Sequence, residues 1–190
     1  DIHKKYIAAG SDIIYTNTFG ANSHKIAGSG IDTETAVKAA LQAARKAAEE
    51  SQRKVKVALD VGPIGELLDP LGTLKFEDAL EVYKEQMIAG EKYGADLIVI
   101  ETFTDLYDAK AAVLAAKENT KLPVWVTMSY EESGRTFTGT KIDAMAMTLE
   151  GLGVDGMGIN CSLGPNEILK LAKELREWTD VPMIIKPNAG

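Results

Sequence analysis

Gly94-Ala95-Asp96-Leu97-Ile98-Val99-Ile100-Glu101 is the stretch that decides the fold. A glycine fit to end a helix leads through a turn into an uninterrupted apolar run, and the run stops at a carboxylate. The same order recurs at Gly10-Ser11-Asp12, leading to Asn17, and at Gly153-Val154-Asp155, leading to Asn160 with Cys161 beside it. A repeated helix end, turn and buried strand, finishing in a polar group five residues after the aspartate, is how a parallel barrel builds a site at the carboxyl ends of its strands.

Working outward, short apolar runs at 12–18, 55–60, 96–101, 124–129, 156–161 and 182–187 read as strands buried on both faces, the habit of parallel sheets. Amphipathic stretches alternate with them. Phe76, Leu80, Tyr83 and Met87 share a helical face, 33–51 is rich in alanine, and 106–119, 142–151 and 166–178 complete the set, the last entered through Pro165. Such alternation, with no linker or low-complexity segment, fits either a doubly wound sheet or most of a (β/α)8 barrel. The glycine fingerprint of a dinucleotide-binding sheet is missing: Gly28-Ser29-Gly30 lacks the third glycine, and Gly151-Leu152-Gly153 precedes a strand. The expectation is therefore an α/β chain forming an incomplete (β/α)8 TIM barrel of about six βα units, a single partial barrel domain over 1–190 that lacks the first and eighth strands. The chain opens at Asp1 within a helical pattern and stops at Gly190 just past a strand, so a fragment of a larger protein is expected.

With 190 residues, 45% hydrophobic and 26% charged, the chain can bury a real core. A formal net charge of −7 disfavours a nucleic-acid partner. No apolar run approaches the roughly 18 residues of a membrane span and no cleavable leader is evident, so a cytoplasmic protein is expected. Cys161 is the only cysteine, which excludes an internal disulfide and a multi-cysteine metal site within this chain.

Polar side chains close the strand candidates: Thr16, Asn17 and Thr18, then Asp60, Glu101 and Thr102, Thr127 and Ser129, Asn160 and Cys161, Lys186 and Asn188. Buried without partners, such groups cost several kcal/mol, so convergence at one barrel mouth would account for them. Glu101 is the sharpest, because it ends an apolar run with no lysine or arginine near it in sequence. Capping the helix that starts near Leu106 falls better to Asp105, and an amine-bearing ligand is the natural partner of Glu101. Cys161 on composition alone reads as an inert, buried small hydrophobe, and its place after Asn160 at a strand end argues for a role. Asp60 precedes a Gly62-Pro63 turn that needs no carboxylate, and it is kept as a mouth residue. His3 and His24 lack the spacing of a zinc-binding pair, and Trp125 and Trp178 suit packing.

At these strand ends the sequence resembles the homocysteine-binding, zinc-dependent S-methyltransferase family. The matching segments are Thr16-Asn17-Thr18-Phe19-Gly20-Ala21-Asn22, Asp60-Val61-Gly62-Pro63-Ile64-Gly65, Glu101-Thr102-Phe103-Thr104-Asp105, Gly158-Ile159-Asn160-Cys161-Ser162 and Lys186-Pro187-Asn188-Ala189-Gly190. The resemblance implies a zinc thiolate at Cys161, a ligand for the homocysteine amine at Glu101 and a contact to the amino-acid end at Asn188, with Asn17, Asn160 and Asp60 at the mouth. It also implies two further cysteine ligands beyond residue 190, so that the parent would bind Zn2+ and the 190-residue piece alone would be inactive. The similarity of the segment 60–72 leans towards the cobalamin-dependent branch, in which methyltetrahydrofolate supplies methylcobalamin on a downstream module and the zinc-activated thiol of homocysteine accepts the methyl group to give methionine. Two other readings stand beside it: a Schiff-base aldolase using Lys186 as nucleophile, and a non-catalytic barrel fragment whose open sheet edges favour self-association.

Overall fold

The computed structural model describes residues 1–189. Helix α1 (Ile2–Ala8) leads into six strands, each but the last followed by a helix: β1 (Ile13–Tyr15), α2 (Thr33–Glu49), β2 (Lys56–Val61), α3 (Phe76–Lys92), β3 (Leu97–Phe103), α4 (Leu106–Asn119), β4 (Val124–Met128), α5 (Ile142–Gly151), β5 (Gly156–Asn160), α6 (Pro165–Trp178) and β6 (Met183–Lys186). All neighbouring strands pair in parallel, and their order in the sheet is their order in sequence. An order that never reverses has no switch point, which sets this sheet apart from a doubly wound one.

Alternate residues of each strand serve different cores. Val57, Leu59, Ile98 and Ile100 pack outward into the large cluster shared with the helices, while Ala58, Leu97 and Val99 form a second, inner cluster with Ile13, Tyr15 and Trp125. Two apolar faces on one sheet require a cover for each. Helices cover the outer face, and the curl of the sheet brings the inner face over itself: Lys186 on β6 touches Glu101 on β3 and lies 4.4 Å from the ring centre of Tyr15 on β1. The result is a curled half-barrel. No helix among the described residues is long and apolar enough to cross a membrane.

The repeated Gly-x-Asp unit has a physical explanation at the amino ends of the strands. Gly10, Gly94 and Gly153 all take positive φ, 109°, 87° and 71°, just beyond the ends of α1, α3 and α5. In each case the glycine and the next residue donate backward in the paired pattern of a Schellman cap, as in Gly94 N–H to Glu91 O (3.1 Å) and Ala95 N–H to Gly90 O (3.0 Å). Two of the aspartates then tie down the start of a neighbouring strand. Asp96 accepts from Val57 N–H at 2.6 Å and pairs with Arg45, and Asp155 accepts from Val124 N–H at 2.8 Å and pairs with Lys117. Asp12 keeps only the cation, Arg53.

Strand β1 is shorter than the 12–18 expected from sequence because, after a last backbone bond from Thr16 N–H to Ala58 O (2.9 Å), side chains take over the link to β2. The Thr16 and Thr18 hydroxyls lie 2.6 Å apart, Thr18 donates to Asp60 O at 2.7 Å, and Thr16 Oγ1 accepts from Asp60 N–H at 3.1 Å. Strand β3 instead runs past Glu101 to Phe103 through a register shift, with Thr102 at φ 65°. Strand β5 stops at Asn160, where Cys161 and Ser162 turn the chain at φ 62° and 60°.

Candidate active site

Four strands contribute to one charged cluster on the inner face. Lys186 donates to Glu101 Oε2 and stacks over Tyr15, which joins β6, β3 and β1. Asp60 stands on β2, the strand between β1 and β3, on the same face as Ala58. It is only 8% exposed, and its Oδ1 has no hydrogen-bond partner among the described residues. Burial, then the negative charge of Glu101, pushes the Asp60 carboxyl up to about 7 against the pull of Lys186. Burial lowers the affinity of Lys186 for its proton, but the bond to Glu101 and the fields of Tyr15 and Glu101 outweigh it and leave its pKa above the ordinary value. Burial likewise raises the Tyr15 phenol, with Lys186 opposing.

A second arrangement joins the ends of β3 and β5. Asn160 accepts from Thr102 N–H at 3.0 Å and donates from Nδ2 to Thr102 Oγ1 at 2.7 Å, so its amide is spent on the neighbouring strand end. Ser129 from the end of β4 donates to Asn160 O at 2.9 Å. The next residue, Cys161, is a half-buried free thiol whose N–H donates to Lys186 O at 3.1 Å. The clamp thus fixes the thiol-bearing turn relative to the residue that follows Glu101. Both Thr102 and Cys161 hold left-handed backbone, a conformation that costs a non-glycine residue on the order of 1 kcal/mol and persists where surrounding bonds demand it.

The structure therefore brings Asp60, Glu101, Asn160 and Cys161 to the carboxyl ends of adjacent or near-adjacent strands. Asn17, exposed beyond β1, lines an open cavity of about 1180 Å3 with Tyr15 and Lys186. Asn188, also exposed, is held by its N–H to Leu163 O at 2.9 Å in the loop after β5. Glu101 has no lysine or arginine near it in sequence, yet the fold gives it a cation, Lys186, from 85 residues away in the chain. Sequence reasoning also missed Tyr15, although its spacing of two from Asn17 marks the same face. A Lys186 held protonated by Glu101 is poorly suited to attack a carbonyl, which tells against the Schiff-base reading.

For the zinc that the resemblance implies, the donor set is partial. Cys161 fits one thiolate position at a strand end, and among the described residues no group of three or more His, Cys, Asp or Glu side chains could hold a metal ion.

Comparison with known proteins places these features in context. A family model described as homocysteine S-methyltransferase matches residues 1–190. Methionine synthase from Mycobacterium leprae (strain TN) is 32% identical over 201 aligned positions, and methionine synthase from Mycobacterium tuberculosis (strain ATCC 25618 / H37Rv) is 33% identical. Both alignments cover all of this chain, which spans 16% and 17% of the length of those relatives. The metallated crystal structure of the homocysteine methyltransferase MmuM from Escherichia coli superposes with a TM-score of 0.88 at 22% identity, covering 100% of this chain and 71% of that one, a likeness of fold.

Proposed function

The chain belongs to the homocysteine S-methyltransferase family, and from that premise we propose that it forms the thiol-substrate part of an enzyme that methylates homocysteine to methionine. The observation that carries the reading is the joint placement of a free thiol, Cys161, and a half-buried carboxylate, Glu101, near strand ends locked together by Asn160 and Thr102. In the proposed reaction the homocysteine sulfur, as thiolate, attacks the methyl carbon of the donor. The new S–C bond forms as the donor–methyl bond breaks, and the electron pair leaves with the donor.

The residues of this chain would bind and orient. Glu101 would take the substrate ammonium, and Asn17 and Asn188 would flank the approach to the amino-acid end. Holding the sulfur and the ammonium at fixed points turns binding energy into alignment for in-line attack. Cys161 would supply one thiolate to a zinc ion whose other ligands come from outside these 190 residues. Bound zinc favours the deprotonated form of a substrate thiol near neutral pH. We take methylcobalamin, recharged from methyltetrahydrofolate and held outside this chain, as the methyl donor, the branch towards which the segment 60–72 leans.

The test is made in the protein that carries this chain, with two variants and two readouts. Cys161→Ala should lose stoichiometric zinc, whereas Glu101→Gln should keep zinc and lose kcat/KM for homocysteine by about tenfold or more, the usual worth of a charge-assisted bond. Full zinc in Cys161→Ala, or unchanged turnover in Glu101→Gln, refutes the respective role.

A further inference from the structure

The charged cluster holds two carboxylates and one lysine, and the lysine is committed to the carboxylate proposed for the substrate. Lys186 donates to Glu101 Oε2, so an ammonium arriving at Glu101 meets a carboxylate already neutralised. Asp60, by contrast, is over nine-tenths buried with an oxygen that no group among the described residues satisfies. A charged carboxylate left in that state costs several kcal/mol, which its high pKa reflects: the carboxyl gives up its proton only near pH 7. Lys186 reaches across the curl from β6, touching Glu101 on β3 and lying over Tyr15 on β1. Asp60 on β2 lies between those two contact points in the sheet. The titratable side chains around Asp60 are thus Tyr15 from β1, Glu101 from β3 and Lys186 from β6, and only Lys186 brings positive charge.

Resting on the function proposed above, we propose that Lys186 is a mobile counter-ion, which leaves Glu101 for Asp60 when the ammonium group of an amino-thiol substrate binds Glu101. Asp60 is the acceptor that makes the exchange affordable, and both residues position the substrate through Glu101. The lysine side chain is 38% exposed on a flexible stem near the edge of the sheet, whereas Glu101 is 15% exposed on the shorter side chain within β3. The lysine is therefore the partner that moves. After the exchange each carboxylate has one cation. Before it, one carboxylate has none.

The experiment compares inhibition constants, competitive with homocysteine, for 4-mercaptobutanoate, which lacks the ammonium, and 3-aminopropane-1-thiol, which keeps it. The native protein, Asp60→Asn and the double variant Asp60→Asn with Lys186→Gln are measured together with KM for homocysteine. In Asp60→Asn the lysine has nowhere to go, so homocysteine and the aminothiol should weaken about tenfold while 4-mercaptobutanoate is unchanged. The double variant frees Glu101 and should recover most of that loss, a rescue that a merely structural role for Asp60 does not give. The inference is overturned if Asp60→Asn weakens all three thiols alike, weakens none, or is not rescued by Lys186→Gln. If the native protein binds none of the three, the homocysteine reading itself falls.

Discussion

At the scale of single residues, two buried acids set how the protein responds to pH. Burial pushes Asp60 and Asp108 each up to about 7, although Asp108 is eased by the Tyr83 hydroxyl at 2.8 Å. Each is an ordinary acid once unfolded, so between about pH 4 and pH 7 the folded chain binds more protons than the unfolded one. Stability must then fall as pH rises through that window. For Asp60 the loss is bounded at about 4 kcal/mol. Asp60→Asn should flatten the decline and unfold at a higher temperature than native protein at pH 8, with the two converging towards pH 4. A larger gap at low pH than at pH 8 contradicts the assignment. Glu101 was legible in the sequence because it ends an apolar run. Its pairing with Lys186, and that of Asn160 with Thr102, was not, since 85 and 58 residues separate the partners and only the curl joins them.

At the scale of elements, the Gly-x-Asp repeat announced the strands correctly, while the job of its aspartates emerged only from the register of neighbouring strands. Asp96 and Asp155 bind backbone N–H groups on strands that precede them in the chain, a partnership no local pattern encodes. Two glycines should respond differently to a methyl group. At Gly94 an added Cβ meets nothing within 4 Å, so Gly94→Ala suffers only its left-handed backbone and should lose about 1 kcal/mol in denaturant unfolding. At Gly158 the Cβ would lie 1.7 Å from Ile184 O, in the ladder between β5 and β6. Gly158→Ala should therefore cost about 3 kcal/mol and loosen the strand that carries Lys186. Equal losses in the two variants would contradict this contrast.

At the scale of the whole molecule, the sheet ends in two edges, β1 and β6, each paired on one side only. Unpaired edges are templates for further strands, and Ile2 and Tyr6 of α1 stand exposed beside the cavity that borders both. The 190-residue chain on its own should associate in a concentration-dependent manner in sedimentation, and an ideal monomer across the micromolar range would contradict that expectation. Curvature itself has a gauge. The Thr102 amide proton is donated to a side chain on β5, across the intervening β4, and not to a ladder carbonyl. Flattening the sheet would stretch that amide's tie, together with the companion bond from Asn160 Nδ2 to Thr102 Oγ1, before any rung of the ladder gave way. Its deuterium exchange, timed against that of its neighbours in β3, would read how often the bowl relaxes toward a plane.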